Sequence, residues 1–104
     1  MSEGIKPTAL KRGMPGEQSN GLLGIEEDLI ERPEGDQIIA IVTLTVDEVM
    51  EKRHAGEVWP VVAIKHIEPL HVDADIKKAI ALRDSAYKKR TGANTLPGID
   101  GEDD

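Results

Sequence analysis

Residues 37–70 read "QIIAIVTLTVDEVMEKRHAGEVWPVVAIKHIEPL", and the way this stretch divides decides the fold. Its first half is rich in β-branched residues and alternates. Ile38, Ala40, Val42, Leu44 and Val46 fall on one side of an extended chain, and Ile39, Ile41, Thr43, Thr45 and Asp47 on the other. "HAGE" (54–57) interrupts the run, with Gly56 free to adopt a positive φ. "VWPVVAIKHIEPL" (58–70) then returns, so the pattern predicts a β-hairpin over 37–70. A three-residue loop of His54, Ala55 and Gly56 sets Arg53 opposite Glu57, Lys52 opposite Val58, Val46 opposite Ile64 and Leu44 opposite His66. In that register Val42, Leu44, Val46 and Met50 share a buried face with Val58, Val62 and Ile64. Thr43, Thr45, Asp47 and Glu51 lie beside Trp59, Ala63 and Lys65 on a mixed face. Pro60 has no N–H for the ladder, so its nitrogen should point away from the neighbouring strand or sit at a bulge. A bulge near Asp47–Glu48 brings Val49 into line.

A helix is predicted over 74–90, "ADIKKAIALRDSAYKKR". Asp73 is a suitable N-cap, and Asp75 suits the positive end of the helix dipole. Ile76, Ala79, Ile80, Arg83, Ala86 and Tyr87 recur at helical spacing along one stripe, with Leu82 off it. Lys88, Lys89 and Arg90 complement the C-terminal end, and Gly92 is a natural terminator. Together these elements predict a small α+β domain over 22–92, a β-hairpin or small antiparallel sheet packed against one C-terminal helix. The segment "LLGIEEDLIE" (22–31) is a further ordered element that reads equally as a short helix or an edge strand, Gly24 weakening the former. Residues 1–21, with "PGEQSNG" at 15–21, have turn and linker chemistry and are expected to be flexible. Residues 93–104, "ANTLPGIDGEDD", are expected to form a disordered acidic tail.

Composition narrows the function. The chain has 104 residues, enough for one domain. It has no Phe, one Trp and one Tyr, so any core rests on aliphatic side chains. Small domains bury a smaller share of their surface, and a second copy or a partner would complete such a core. The formal net charge of −7 disfavours non-specific binding to nucleic acid. With no Cys, disulfides, thiolate metal sites and Cys nucleophiles are excluded. No apolar run reaches the ~18 residues that span a membrane, and the N-terminus lacks the apolar stretch of a secretory signal. The expected location is the cytoplasm.

The candidate chemistry is sparse. "HIEPLHVDAD" (66–75) gathers two His, one Glu and two Asp, and His66 and Glu68 share one side of a strand as two ligands could. A zinc site wants three or four ligands converging from a rigid frame. The residues are each explained more simply: Glu68 and Pro69 end a strand, His71 links, and Asp73 caps a helix. Ser2, Ser19 and Ser85 lack the context of a nucleophile elbow. No glycine-rich phosphate cradle is present. The acidic pairs Glu26–Glu27 and Asp47–Glu48 would need burial to act as acid–base groups, and charged pairs are more often solvated. The expectation is therefore a non-enzymatic chain with no cofactor and no metal. Trp59 reads as the largest core residue or as an exposed anchor for a protein partner. Trp59, Val61, Glu51 and Lys65 are the candidate partner-binding residues. The alternative is nucleic-acid binding through the basic helix, by Lys77, Lys78, Lys88, Lys89 and Arg90, although no aromatic side chains are placed to stack on bases.

The stretch "TLTVDEVMEKRHAGEVWPVVAIKHIEPL" (43–70), about a quarter of the chain, resembles the strand–turn–strand unit of small uncharacterised proteins encoded by bacteriophages of actinobacteria. The features that match are "VDEVMEKR", the short polar turn, "PVVAIKHIEPL" and the charged helix that follows. The resemblance implies an accessory phage protein whose biochemical role is unsettled; the expected mode of action is contact with a protein such as a host factor, in the host cytoplasm. It carries over no functional residues.

Overall fold

The computed structural model describes residues 4–92. It contains β1 (Ala9–Leu10), α1 (Glu26–Glu31), β2 (Ala40–Lys52), β3 (Glu57–Pro69) and α2 (Asp73–Thr91). The three strands form one sheet in the order β1-β3-β2. The α+β class expected from the alternating run and the helical stripe is thus present. The sheet is mixed rather than wholly antiparallel, because β1 lies parallel to β3 with Ala9 beside Val61 and Leu10 beside Val62. The described residues divide into two compact units, 4–36 with 41–69 and 37–40 with 70–92.

In the first unit the hairpin forms where the β-branched residues and the Gly56 turn place it. Arg53–Ala55 make a 3-10 turn, and Gly56 closes it in the left-handed region at φ 67°, donating its N–H to the Arg53 carbonyl at 3.1 Å. That bond draws Arg53 into the turn, so the connection is Arg53–Gly56 and the strands end at Lys52 and Glu57. This connection is one residue longer than the expected loop of His54, Ala55 and Gly56, and Gly56 is left-handed as that loop required.

The N-terminal segment departs most from expectation. Residues 4–21 do not stand off the domain; they run beside β3 as its second partner. Lys6 N–H donates to the Val58 carbonyl (2.9 Å), and Val58 N–H to the Gly4 carbonyl (2.7 Å). Lys11 N–H donates to Val62 (2.8 Å) and Gly21 N–H to Ile67 (2.8 Å), with further parallel bridges at Ile5–Val58 and Asn20–Ile67. A strand edge needs partners for its N–H and C=O groups, and this segment supplies them with backbone, which Gly- and Pro-rich composition does not forbid.

These bonds also locate a break in phase. Along a regular strand, alternate residues turn their carbonyls to the same edge. Val58 and Val62 agree in phase, but Ile67 faces the same edge an odd number of residues later. The pairing of β3 with the N-terminal segment therefore changes phase between Val62 and Ile67, as at a bulge. Pro60 is in phase with Val58 and Val62, so its nitrogen faces the N-terminal segment, in the gap between the pairings at Val58 and Val61.

Burial follows from strand order. β3 is central, and Val61 at 8% exposure is the buried hydrophobic residue of the described chain, with Pro69 also buried. Gly21 packs onto Pro69 so closely that a Cβ there would lie 2.6 Å from the proline ring and 2.8 Å from the Ile67 carbonyl. β2 is the terminal strand, and every residue from Ile41 to Lys52 is exposed. The expected buried face of Val42, Leu44, Val46 and Met50 is therefore open, while Val58, Val62 and Ile64 on β3 are half-buried. Between the N-terminal segment and β2, residues 26–31 resolve as helix α1, with acidic residues in its first turn. Arg32 follows it and bonds to Asp36 (3.0 Å) and Asp28 (3.1 Å).

In the second unit α2 runs one residue further at each end than the predicted 74–90. Val72 occupies the N-cap, and no side chain caps the helix; Asp73 is its first residue and not its cap. Asp73 and Asp75 still place negative charge at the positive end of the dipole. Gly92 ends the helix at φ 78° and donates its N–H to Lys88 (2.7 Å), as expected of a left-handed terminator. Ile76, Ala79, Ile80 and Tyr87 are the half-buried residues of the predicted stripe, while Arg83 and Ala86 on it are exposed, as is Leu82 off it. Ala79, Ile80 and Arg83 line a hollow of about 270 Å³ with Ile38, Ile39 and Ala40. Leu70 N–H donates to the Ile39 carbonyl at 2.9 Å, which ties the start of the helical segment to these residues. The predicted acidic tail, 93–104, lies outside the described residues.

Candidate functional site

The acid- and His-rich stretch 66–75 does not gather. His66 Nε2 lies 2.8 Å from Glu68 Oε1, the same-side pairing that a strand dictates. Glu68 and Pro69 end β3, His71 is exposed in the link, and Asp73 and Asp75 enter the first turn of α2. Among the described residues no group of three or more His, Cys, Asp or Glu side chains comes together. What the stretch offers is a two-ligand pair whose members already satisfy one another.

The candidate partner-binding residues are not one patch. Trp59 is half-buried, with the Lys6 ammonium 4.8 Å from its ring centroid, and the same ammonium lies 3.7 Å from Glu57. The N-terminal segment thus covers part of the ring and contributes a cation–π contact. Val61 is buried, paired beside Ala9 on the central strand. Glu51 and Lys65 are exposed. Lys11 reaches Asp47 at 3.2 Å, neutralising one acid of β2. Glu51 also borders an open hollow of about 560 Å³ at the turn, with Lys52, Arg53, His54 and Ala55. All five of these residues are exposed and come from one turn, so no second element walls the hollow as a ligand cavity requires.

The surface that the hairpin register did not anticipate is β2 itself. Ile41 is 56% exposed, Leu44 52%, Val46 70% and Val49 63%, with Val42 and Met50 also exposed. A run of exposed aliphatic side chains on a terminal strand is unusual in a monomer. The sequence held one sign of it: residues 37–46 carry no charge and no proline, the devices that ordinarily blunt an open edge.

On α2, Lys77, Lys78, Lys88 and Lys89 are exposed and form no ion pair among the described residues. Arg90 stacks over Tyr87 at 5.4 Å, and Arg83 bonds to Asp84 at 3.1 Å. Hydrogen bonds that Arg32 donates to Asp36, then to Asp28, raise its pKa above the ordinary value, so its charge is fixed throughout the neutral range. Ser19 ends a 3-10 turn and Ser85 is exposed on α2. No helix of the described residues is long and apolar enough to cross a membrane. Comparison with protein-family models, curated proteins and solved structures finds no match to the chain.

Proposed function

We propose that the chain is a non-enzymatic accessory protein that works by protein–protein contact, with β2 as the contact surface. The observation that carries this reading is the exposed aliphatic run of Ile41, Val42, Leu44, Val46, Val49 and Met50 on a terminal strand. Such a strand offers backbone groups for pairing and apolar side chains for burial at once, the two things that strand-addition partners use. A phage origin and a host protein as target rest on the resemblance of residues 43–70, and the host cytoplasm follows from that origin. The test is affinity capture from host lysate after nuclease treatment. A partner should be retained by the native chain and lost with Leu44→Lys, while Trp59→Ala should retain it, because Lys6 already occupies part of that ring. Capture that survives Leu44→Lys overturns β2 as the surface.

One observation favours a second reading, contact with nucleic acid: the four lysines of α2 that no acid of the described residues pairs. In that case nuclease abolishes capture, and replacing Lys88, Lys89 and Arg90 by Gln does the same with β2 intact.

A further inference from the structure

We infer that the open edge of β2 is covered by β2 of a second copy of this chain, running antiparallel about a two-fold axis at Leu44. This deepens the protein-contact reading and rests on it in taking β2 as the contact surface.

The first ground is the sequence of the exposed strand. Residues 42–46 read Val-Thr-Leu-Thr-Val, the same in both directions. Two copies laid antiparallel about Leu44 set Val42 against Val46 of the second copy, Thr43 against Thr45, and Leu44 against Leu44. A two-fold interface must be self-complementary, each patch meeting itself, and a palindromic strand meets that demand residue by residue. Val–Val and Thr–Thr pairs are favourable cross-strand neighbours. Val42, Leu44 and Val46 of both copies then make one apolar stripe across the axis. The register holds whichever way the Leu44 backbone groups point, because an antiparallel two-fold passes through a hydrogen-bonded or a non-hydrogen-bonded pair equally well.

The second ground is charge. Leu44 as centre places Asp47 of one copy beside Ile41 of the other and Glu48 beside Ala40, so no acid meets an acid. A parallel alignment sets Asp47 on Asp47 and Glu48 on Glu48, which repel. A centre one residue nearer the turn presses Asp47 onto Thr43 and Glu48 onto Val42. The uncharged stretch 37–46 and the acidic stretch that follows it therefore select one direction and one region of overlap.

The third ground is what the single chain leaves undone. Val61 is its one buried hydrophobic residue among those described, and β2 buries none. Nothing on β2 before Asp47 discourages pairing, neither proline nor charge.

The chain has no native cysteine, so one introduced thiol reports the register directly. Facing residues of an antiparallel pair lie about 4.5–5.5 Å apart at Cα, within the reach of a disulfide. Leu44→Cys should oxidise to a covalent dimer at low micromolar concentration. Val49→Cys, which faces Ile39 of the other copy, should stay monomeric under the same conditions. Light scattering behind size exclusion should give twice the chain mass for the native protein. Leu44→Lys should give the monomer mass while keeping the native circular-dichroism spectrum. Monomer mass for the native chain at every concentration, or Val49→Cys linking as readily as Leu44→Cys, overturns the proposal. A native monomer that still captures a partner in a β2-dependent way sinks the dimer and spares the protein-contact reading. A Leu44-linked dimer that captures nothing does the reverse.

Discussion

Val61 and Ile30 are both β-branched aliphatics, yet one is 8% exposed on the central strand and the other 80% exposed on α1. Truncating each to Ala separates burial from hydrophobicity. Val61→Ala should lower stability by about 1–2 kcal/mol, two methyl groups' worth of transfer plus the space left behind. Ile30→Ala should change it by less than about 0.5 kcal/mol. Equal losses in urea denaturation would mean that β3 is not the centre of the sheet. Sequence alternation assigned Val61 to the same side as Trp59 and offered it to a partner. Alternation tells which residues share a face; it does not tell which strand has neighbours on both edges. Gly21 carries a similar lesson. Its N–H bonds to Ile67 while its Cα faces the Pro69 ring, so Gly21→Ala forces the two segments apart. We expect a cost of about 1–3 kcal/mol from this overpacking, with Gly13→Ala as a control that meets no neighbouring atom, although its positive φ adds backbone strain. A melting temperature lowered no more by Gly21→Ala than by Gly13→Ala would place the strand end elsewhere.

At the scale of elements, the hairpin and α2 were legible because each writes a period into the sequence: two for the strands, 3.6 for the Ile76–Tyr87 stripe. The Gly56 and Gly92 positions were legible because a left-handed residue closes each element. The N-terminal segment was not legible. It attaches through its backbone, and main-chain pairing leaves no mark on composition. The consequence can be measured by hydrogen exchange. Deleting residues 1–11 removes the acceptor of the Val58 amide, the Gly4 carbonyl, so that amide should exchange far faster while the amides of α2 keep their protection. Unchanged protection at Val58 would restore a flexible N-terminus. The His66–Glu68 pair is a second element-scale case. Zinc stabilises only a state that binds it, and two ligands that face each other at 2.8 Å make a poor site. Zinc or manganese should therefore leave the melting temperature unchanged; a concentration-dependent rise abolished by His66→Ala would revive a metal-dependent reading.

For the whole molecule, the charge of −7 conceals an uneven distribution. Residues 93–104 contain Asp100, Glu102, Asp103 and Asp104, and α2 ends in Lys88, Lys89 and Arg90. Removing 93–104 should strengthen non-specific DNA binding at low salt and have little effect at high salt, since screening shortens the reach of charge. In the triple Gln variant of Lys88, Lys89 and Arg90, the salt slope of any such binding should fall by about 0.9 for each phosphate that is no longer neutralised. A slope that stays the same would clear α2 of any part in it. The parallel pairing of Ala9 with Val61 has a consequence in time. The two residues are separated by 52 positions of chain, and at about 5–20 residues per second of synthesis Ala9 waits on the order of 3–10 seconds before Val61 exists to receive it. Loop-closure entropy delays such distant contacts further. The hairpin, whose partners adjoin one turn, is complete before the first-made segment docks on it. A newborn chain therefore passes through a stage in which β3 as well as β2 has an open edge, and it is at that stage that a chaperone or a misdirected strand has its best opportunity to bind.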